Sequence, residues 1–131
     1  MTAGARYLVD TGVFILYIRK HDKALAFFRE TTAEIYYSRV TRKELLRPPI
    51  SAREKEETVT FLQKYRIVHP DPPIAEGFSA LVEKYAYLKD HLADALIAAT
   101  AWKKGMVVVT TNLRHFEPIQ EITVKRFPED F

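Results

Sequence analysis

The run LVDTGVFILYI (residues 8–18) places one acid, Asp10, in an otherwise apolar stretch. An ionised carboxylate taken out of water is costly unless something pairs with it. Asp10 is therefore either the N-cap of a helix or one side of a cation site. Glu44, in SRVTRKELL, poses the same choice: Thr41-x-x-Glu44 fits a capping box, in which the acid turns back to a backbone N–H. Asp94 lies in HLADALIAATAW, where only Asp94 and Thr100 are polar between residues 92 and 102. A first-turn acid on such a helix either faces solvent or carries a charge that needs compensation. Asp90, four residues earlier, is expected to be an N-cap. Thr11, Thr110 and Asn112 add hydroxyl and amide oxygens, and His115 is a ligand, a general base or a surface residue. Acids joined by neutral oxygen donors suit a hard divalent ion such as Mg²⁺ or Mn²⁺.

The elements that must position these groups alternate. Strands are expected at Arg6 to Asp10, EIYYS (34–38), RIVHP, MVVVT and ITVKRF (122–127). Between them, helices should run from just after Asp10 through Tyr17, from Asp22 to about Arg29, and through TRKELLR as far as Pro48-Pro49. Ser51 caps the next helix, which lies on the outside. Ile74, Phe78, Leu81, Val82 and Tyr85 predict an amphipathic helix from about Pro73 to Leu88. A further helix spans about Leu92 to Lys103 and stops at Gly105. The continuous apolar character of Tyr7-Leu8-Val9 suits a strand covered on both faces. The pattern is an α/β domain with a mainly parallel sheet of about five strands, and residues 1–131 form one domain. In such sheets ligands bind beyond the carboxyl ends of the strands, where Asp10 and the TTNLRHF loop fall.

Composition narrows the chemistry. The 131 residues contain no cysteine, which excludes disulfides, zinc-thiolate sites and thiol nucleophiles. The net charge of +3 is compatible with a phosphate-bearing partner. No apolar run approaches the ~20 residues of a membrane span, and the N-terminus lacks a signal-peptide pattern, so the cytoplasm is the expected compartment.

YLVDTGVFI, SRVTRKELL and HLADALIAATAWKKGMVVVTTNLRHF together resemble, in order and spacing, the motifs of PIN-domain ribonucleases, particularly VapC toxins of toxin–antitoxin pairs. The resemblance spans about residues 7 to 116, and ADALIAATA…G…VVTTN is its most specific part. It implies a Rossmann-like α/β/α sandwich and a Mg²⁺- or Mn²⁺-dependent endoribonuclease. The family's first three acids map onto Asp10, Glu44 and Asp94, and the other position it ties to this site is present as Asn112. Where a fourth acid is common, this chain has His115. The resemblance further implies a VapB-like antitoxin and a homodimer. Arg19, Lys20, Arg39, Arg42, Lys43 and Arg47 are expected to flank the mouth and hold RNA phosphates.

Two other acid-bearing folds fit poorly. A phosphoacceptor receiver domain needs an acid pair after the first strand and a lysine after a later one. A haloacid-dehalogenase-type phosphatase needs a second Asp at position 12, which is Gly. The alternative that keeps the fold is a catalytically weakened PIN-like domain that binds RNA or protein.

Overall fold

A computed structural model describes residues 4–131. Five parallel strands form one sheet in the order β3-β2-β1-β4-β5: β1 Arg6–Val9, β2 Glu34–Ser38, β3 Arg66–Val68, β4 Val107–Thr110 and β5 Thr123–Arg126. All pairings are parallel, so the sheet is wholly rather than mainly so. The helices are α1 Thr11–Ile18, α2 Asp22–Glu30, α3 Arg39–Leu45, α4 Ala52–Leu62, α5 Pro72–Lys84, α6 Leu92–Lys104 and α7 Leu113–Phe116.

Side-chain alternation along β1 explains why its sequence is apolar throughout. Tyr7 and Val9 point into a core shared with Phe14, Phe27, Phe28 and Phe61 from α1, α2 and α4. Leu8 points the other way, to Ile74, Leu81, Ala98 and Phe116 from α5, α6 and α7. Both faces of the central strand are covered, which is the α/β/α arrangement expected.

The chain builds outward from β1 through β2 to β3, then returns through α5 and α6 to place β4 on the other side of β1. The strand order therefore reverses between β1 and β4. That reversal opens a crevice at their carboxyl ends, because successive connections leave in opposite directions. Val9 pairs with Val109, so the next residues on each strand, Asp10 and Thr110, arrive at that crevice side by side.

Three expectations need correction. The stripe read as one helix to Leu88 is interrupted: α5 ends at Lys84, Tyr85 is extended (φ −115°, ψ 90°), and Ala86–Asp90 is a separate 3-10 turn. Tyr85 keeps its place in the apolar stripe while its hydroxyl donates to Glu121 Oε1 at 2.6 Å, a long-range bond that local periodicity cannot register. Asp90 ends that 3-10 turn and does not cap α6, whose N-cap is His91 without a side-chain bond. TTNLRHF, read as a loop, includes the short helix α7. At the other end of α6, Gly105 adopts φ +65°, a left-handed cap that a glycine accepts without strain.

Candidate functional site

Asp10 leaves β1 as the N-cap of α1, with extended backbone (φ −75°, ψ 158°). Its Oδ1 accepts from the Thr11 N–H at 2.8 Å and its Oδ2 from the Thr110 hydroxyl at 2.8 Å. The Thr110 hydroxyl accepts in turn from the Asn112 N–H at 3.0 Å. The carboxylate is thus both a cap and a fixed edge of the crevice, and the two readings of Asp10 are compatible. It is 8% exposed, and burial pushes its pKa from 3.8 up to about 6. The two hydrogen bonds oppose that rise, whereas the charges of Asp94 and Glu44 reinforce it. None of the groups that set the pKa of Asp10 is basic.

Glu44 does not form the capping box suggested by its spacing. The N-cap of α3 is Ser38, whose hydroxyl accepts from the Val40 N–H at 3.2 Å, and Thr41 is fully buried inside the helix. Glu44 instead receives the Thr11 hydroxyl proton at Oε1, 2.8 Å away. Thr41 Oγ1 lies 3.1 Å from Thr11 Oγ1 and, with that proton committed to Glu44, supplies the proton of the second bond. The capping box lies one helix later, at Ser51 and Glu54 of α4. Thr11 therefore ties α3 to α1 and turns Glu44 toward Asp10.

Asp94, in the first turn of α6, has its side chain 20% exposed, and its charge acts on Asp10. His115 of α7 places Nδ1 2.7 Å from Asp94 Oδ2 and 2.8 Å from Asn112 Nδ2. The Tyr87 hydroxyl donates to the backbone carbonyl of His115 at 2.6 Å and holds α7 against α6. His91, one helical turn before Asp94, brings its Nδ1 to 3.9 Å from the same carboxylate oxygen. Sequence reasoning gives Thr41 only a capping role and passes over His91 and Tyr87. His91 had a usable signal, His-x-x-Asp across the first turn of a helix; the other two are defined by tertiary bonds.

Gly12 matters for a steric reason. A Cβ at that position would stand 2.3 Å from Thr111 Oγ1, so a side chain there would force Thr111 out of its rotamer.

The expected basic residues divide. Arg39, Arg42, Lys43 and Arg47 belong to α3 or its C-terminal continuation, beside Glu44, and all but the half-buried Arg42 are exposed. Arg19 and Lys20 follow the C-terminal end of α1, about 12 Å along the helix from Asp10, since eight residues rise ~1.5 Å each. They stand at the opposite end of α1 from the carboxylates, because that helix runs back from the sheet's carboxyl edge. Exposed Arg114, between Asn112 and His115, is a cation at the rim that the sequence reading passed over.

The residues fit a divalent cation. The charges of Asp94 of α6 and Glu44 of α3 both act on the buried Asp10 at the cap of α1, the Thr11 and Thr110 hydroxyls bond Glu44 and Asp10, and no thiol is present. A buried carboxylate whose neighbours are acids is stabilised by positive charge brought to it.

Comparison with known proteins gives a consistent result. The PIN domain family profile matches residues 7–121. Ribonuclease VapC1 of Methanocaldococcus jannaschii is 33% identical over 125 residues, 92% of this chain and 86% of that protein. Among solved structures, VapBC2 from Rickettsia felis, bound to a DNA fragment from its promoter, superposes with a TM-score of 0.77 at 17% identity. That match covers 93% of this chain and 98% of the other. DNA-bound VapBC from Salmonella typhimurium gives 0.74 at 24% identity, with the same coverage of both chains. The two structural matches speak to the fold.

Proposed function

The chain belongs to the PIN domain family, and from that premise we propose that it is a metal-dependent endoribonuclease, the toxin of a VapBC-type toxin–antitoxin pair. The observation that carries this reading is that Asp10, buried at the carboxyl end of β1, is acted on by the like charges of Asp94 and Glu44.

Asp10, Glu44 and Asp94 would hold Mg²⁺ or Mn²⁺. Such an ion polarises a phosphodiester oxygen and lowers the pKa of water for attack on phosphorus. The chain's own side chains do the rest. Thr110 and the Thr11 N–H fix both oxygens of Asp10, so that carboxylate needs no reorganisation when positive charge arrives. The Thr11 hydroxyl holds one oxygen of Glu44 and leaves the other free to bind or to take a proton. Asn112 and His115 line the Asp94 side of the crevice, the position at which the family commonly carries a further acid. Arg39, Lys43 and Arg47, with Arg114 opposite, would hold the phosphates of a single-stranded segment.

The partners proposed are an RNA substrate, a VapB-like antitoxin and a second copy of the chain. VapBC-5 from Mycobacterium tuberculosis, a solved relative, belongs to a family of toxin–antitoxin systems, which supports the antitoxin. No helix among the described residues is long and apolar enough to cross a membrane, and a toxin acting on RNA would work in the cytoplasm.

Cleavage of a mixed RNA substrate by purified protein with Mn²⁺, and with chelator, tests this reading. Asp10→Asn and Asp94→Asn should each lower the rate by at least about a hundredfold. Undiminished cleavage by either variant, or none by the parent at high Mn²⁺, removes the nuclease assignment. A specific observation favours one second reading, a binding module: His115 occupies Asp94 Oδ2 at 2.7 Å, where an acid would leave it free. In that case the parent binds RNA or protein and cleaves nothing.

A further inference from the structure

His91, Asp94 and His115 form a cluster of their own at the outer edge of the crevice. One potential ligand atom from each lies within 4.8 Å of the other two. The two imidazole rings are 4.3 Å apart and tilted by 44°. Both meet the same oxygen, Asp94 Oδ2, at 2.7 Å from His115 and 3.9 Å from His91. We infer that these three side chains bind a borderline transition-metal ion of the Zn²⁺ class, in a site that shares Asp94 with the nuclease centre but is chemically distinct from it.

The hydrogen bonding at His115 supports this. Its Nδ1 lies between the Asp94 carboxylate, which only accepts, and the Asn112 side-chain amide, which presents a donor or an acceptor. With a proton on Nδ1 the nitrogen donates to Asp94 Oδ2. Without that proton its single in-plane lone pair is free for a cation, with the carboxylate oxygen 2.7 Å away to share it. A metal ion held by Nδ1 and Oδ2 takes the place of that shared proton.

The geometry requires small movements. Donors around a tetrahedral ion with bonds of about 2.1 Å lie ~3.4 Å apart, and the observed 2.7 and 3.9 Å fall on either side of that value. His91 and His115 are 38% and 32% exposed, so their rings can turn without disturbing the core. The backbone beneath is held: the Tyr87 hydroxyl anchors the His115 carbonyl, and the His91 carbonyl accepts the first α6 bond from the Ala95 N–H at 2.9 Å.

Two imidazoles and one carboxylate prefer Zn²⁺, Co²⁺ or Ni²⁺ to Mg²⁺, which demands oxygen ligands. This selectivity separates the cluster from the oxygen-only set of Asp10 and Glu44. Binding stands on the three side chains alone. Its consequence, that Zn²⁺ draws Asp94 away from the catalytic ion and slows cleavage, rests on the nuclease reading.

The test uses untagged, chelator-stripped full-length protein titrated with Zn²⁺ in a calorimeter in the presence of excess Mg²⁺. One equivalent should bind, and the imidazole NMR signals of His91 and His115 should shift while those of His21 and His69 stay. His91→Ala should weaken binding by about tenfold or more, at least the loss seen when a mere outer partner of a ligand is removed. The double change of His21→Ala with His69→Ala should leave it intact. Both variants alter exposed or half-exposed positions, and melting curves check their folding. Unchanged affinity in His91→Ala, unshifted His91 and His115 signals, or displacement of Zn²⁺ by Mg²⁺ would each overturn the proposal and leave an imidazole–carboxylate hydrogen bond only. In the cleavage arm, the Zn²⁺ concentration halving the Mn²⁺-supported rate should rise about tenfold in His91→Ala, relative to its own zinc-free rate. Binding without any cleavage in the parent defeats the nuclease reading and spares the site.

Discussion

Exchanging Asp10 for asparagine (Asp10→Asn) removes a charge and almost no volume at the most buried acid of the crevice. Burial lifts the pKa of Asp10 from 3.8 to about 6 in the folded chain. Between those values the native state holds a proton that the unfolded state has released, so stability falls as pH rises through this range. It is fully present below about pH 4 and has been lost once pH exceeds about 6. At ~1.4 kcal/mol per decade, the ionised carboxylate costs the metal-free fold at most about 3 kcal/mol at neutral pH. Asparagine can accept from the Thr11 N–H through its carbonyl and donate to Thr110 Oγ1 through its amide. The Thr110 hydroxyl proton then loses its acceptor, a penalty of about 1 kcal/mol. The net expectation is a metal-free variant about 1–2 kcal/mol more stable than the parent near pH 7.5, and no more stable near pH 4. Calorimetric melts of both proteins in chelator at the two pH values measure it, as a rise of about 3–8 °C at the higher pH only. Adding Mn²⁺ should raise the parent's melting temperature and leave the variant's nearly unchanged, because only the parent binds through that carboxylate. A variant less stable than the parent at neutral pH, or a difference that ignores pH, would refute the account of Asp10 as an uncompensated buried charge.

Gly12→Ala should destabilise the fold by about 1 kcal/mol, because the added methyl meets Thr111 Oγ1 at 2.3 Å and Thr111 must leave its rotamer. Chemical denaturation measures the loss, and a neutral result would show that Thr111 turns aside freely. Replacing Arg39, Lys43 and Arg47 together by glutamine should weaken single-stranded RNA binding and flatten its logarithmic salt dependence by about two units. Fluorescence titrations at several salt concentrations read both, and the same change at Arg19 and Lys20 should have the smaller effect. An equal effect from the α1 pair would place the RNA path along that helix instead.

The order of elements was legible because each one begins or ends on a residue with a local reason to be there. Tyr7-Leu8-Val9 announced a doubly covered strand, and Lys103-Lys104-Gly105 announced the end of α6. Asp10 and Asp94 were legible as acids in places where burial makes acid expensive. The orientation of Glu44 was not, since Thr41-x-x-Glu44 satisfies the capping spacing while Ser38 takes the cap. Spacing specifies which residues share a helix turn; it does not say which of two hydroxyls reaches an N–H first. His91 escaped notice for a related reason. Its partner His115 is 24 residues away by number, and only the 3-10 turn at Ala86–Asp90 and the Tyr87 bond set the two rings together.

Topology explains why this edge of the sheet collects costly groups. The helices that cover both faces of β1 bury whatever immediately follows it, and this burial is what raises Asp10. The reversal between β1 and β4 prevents either connection from closing over the carboxyl end, so the charge stays reachable from solvent. A cap alone could have been a serine or threonine, as Ser38 and Ser51 are for α3 and α4, with no penalty from ionisation. An aspartate retained at the one cap that is both buried and surrounded by Glu44 and Asp94 is explained by the cation it would hold, not by the helix it starts.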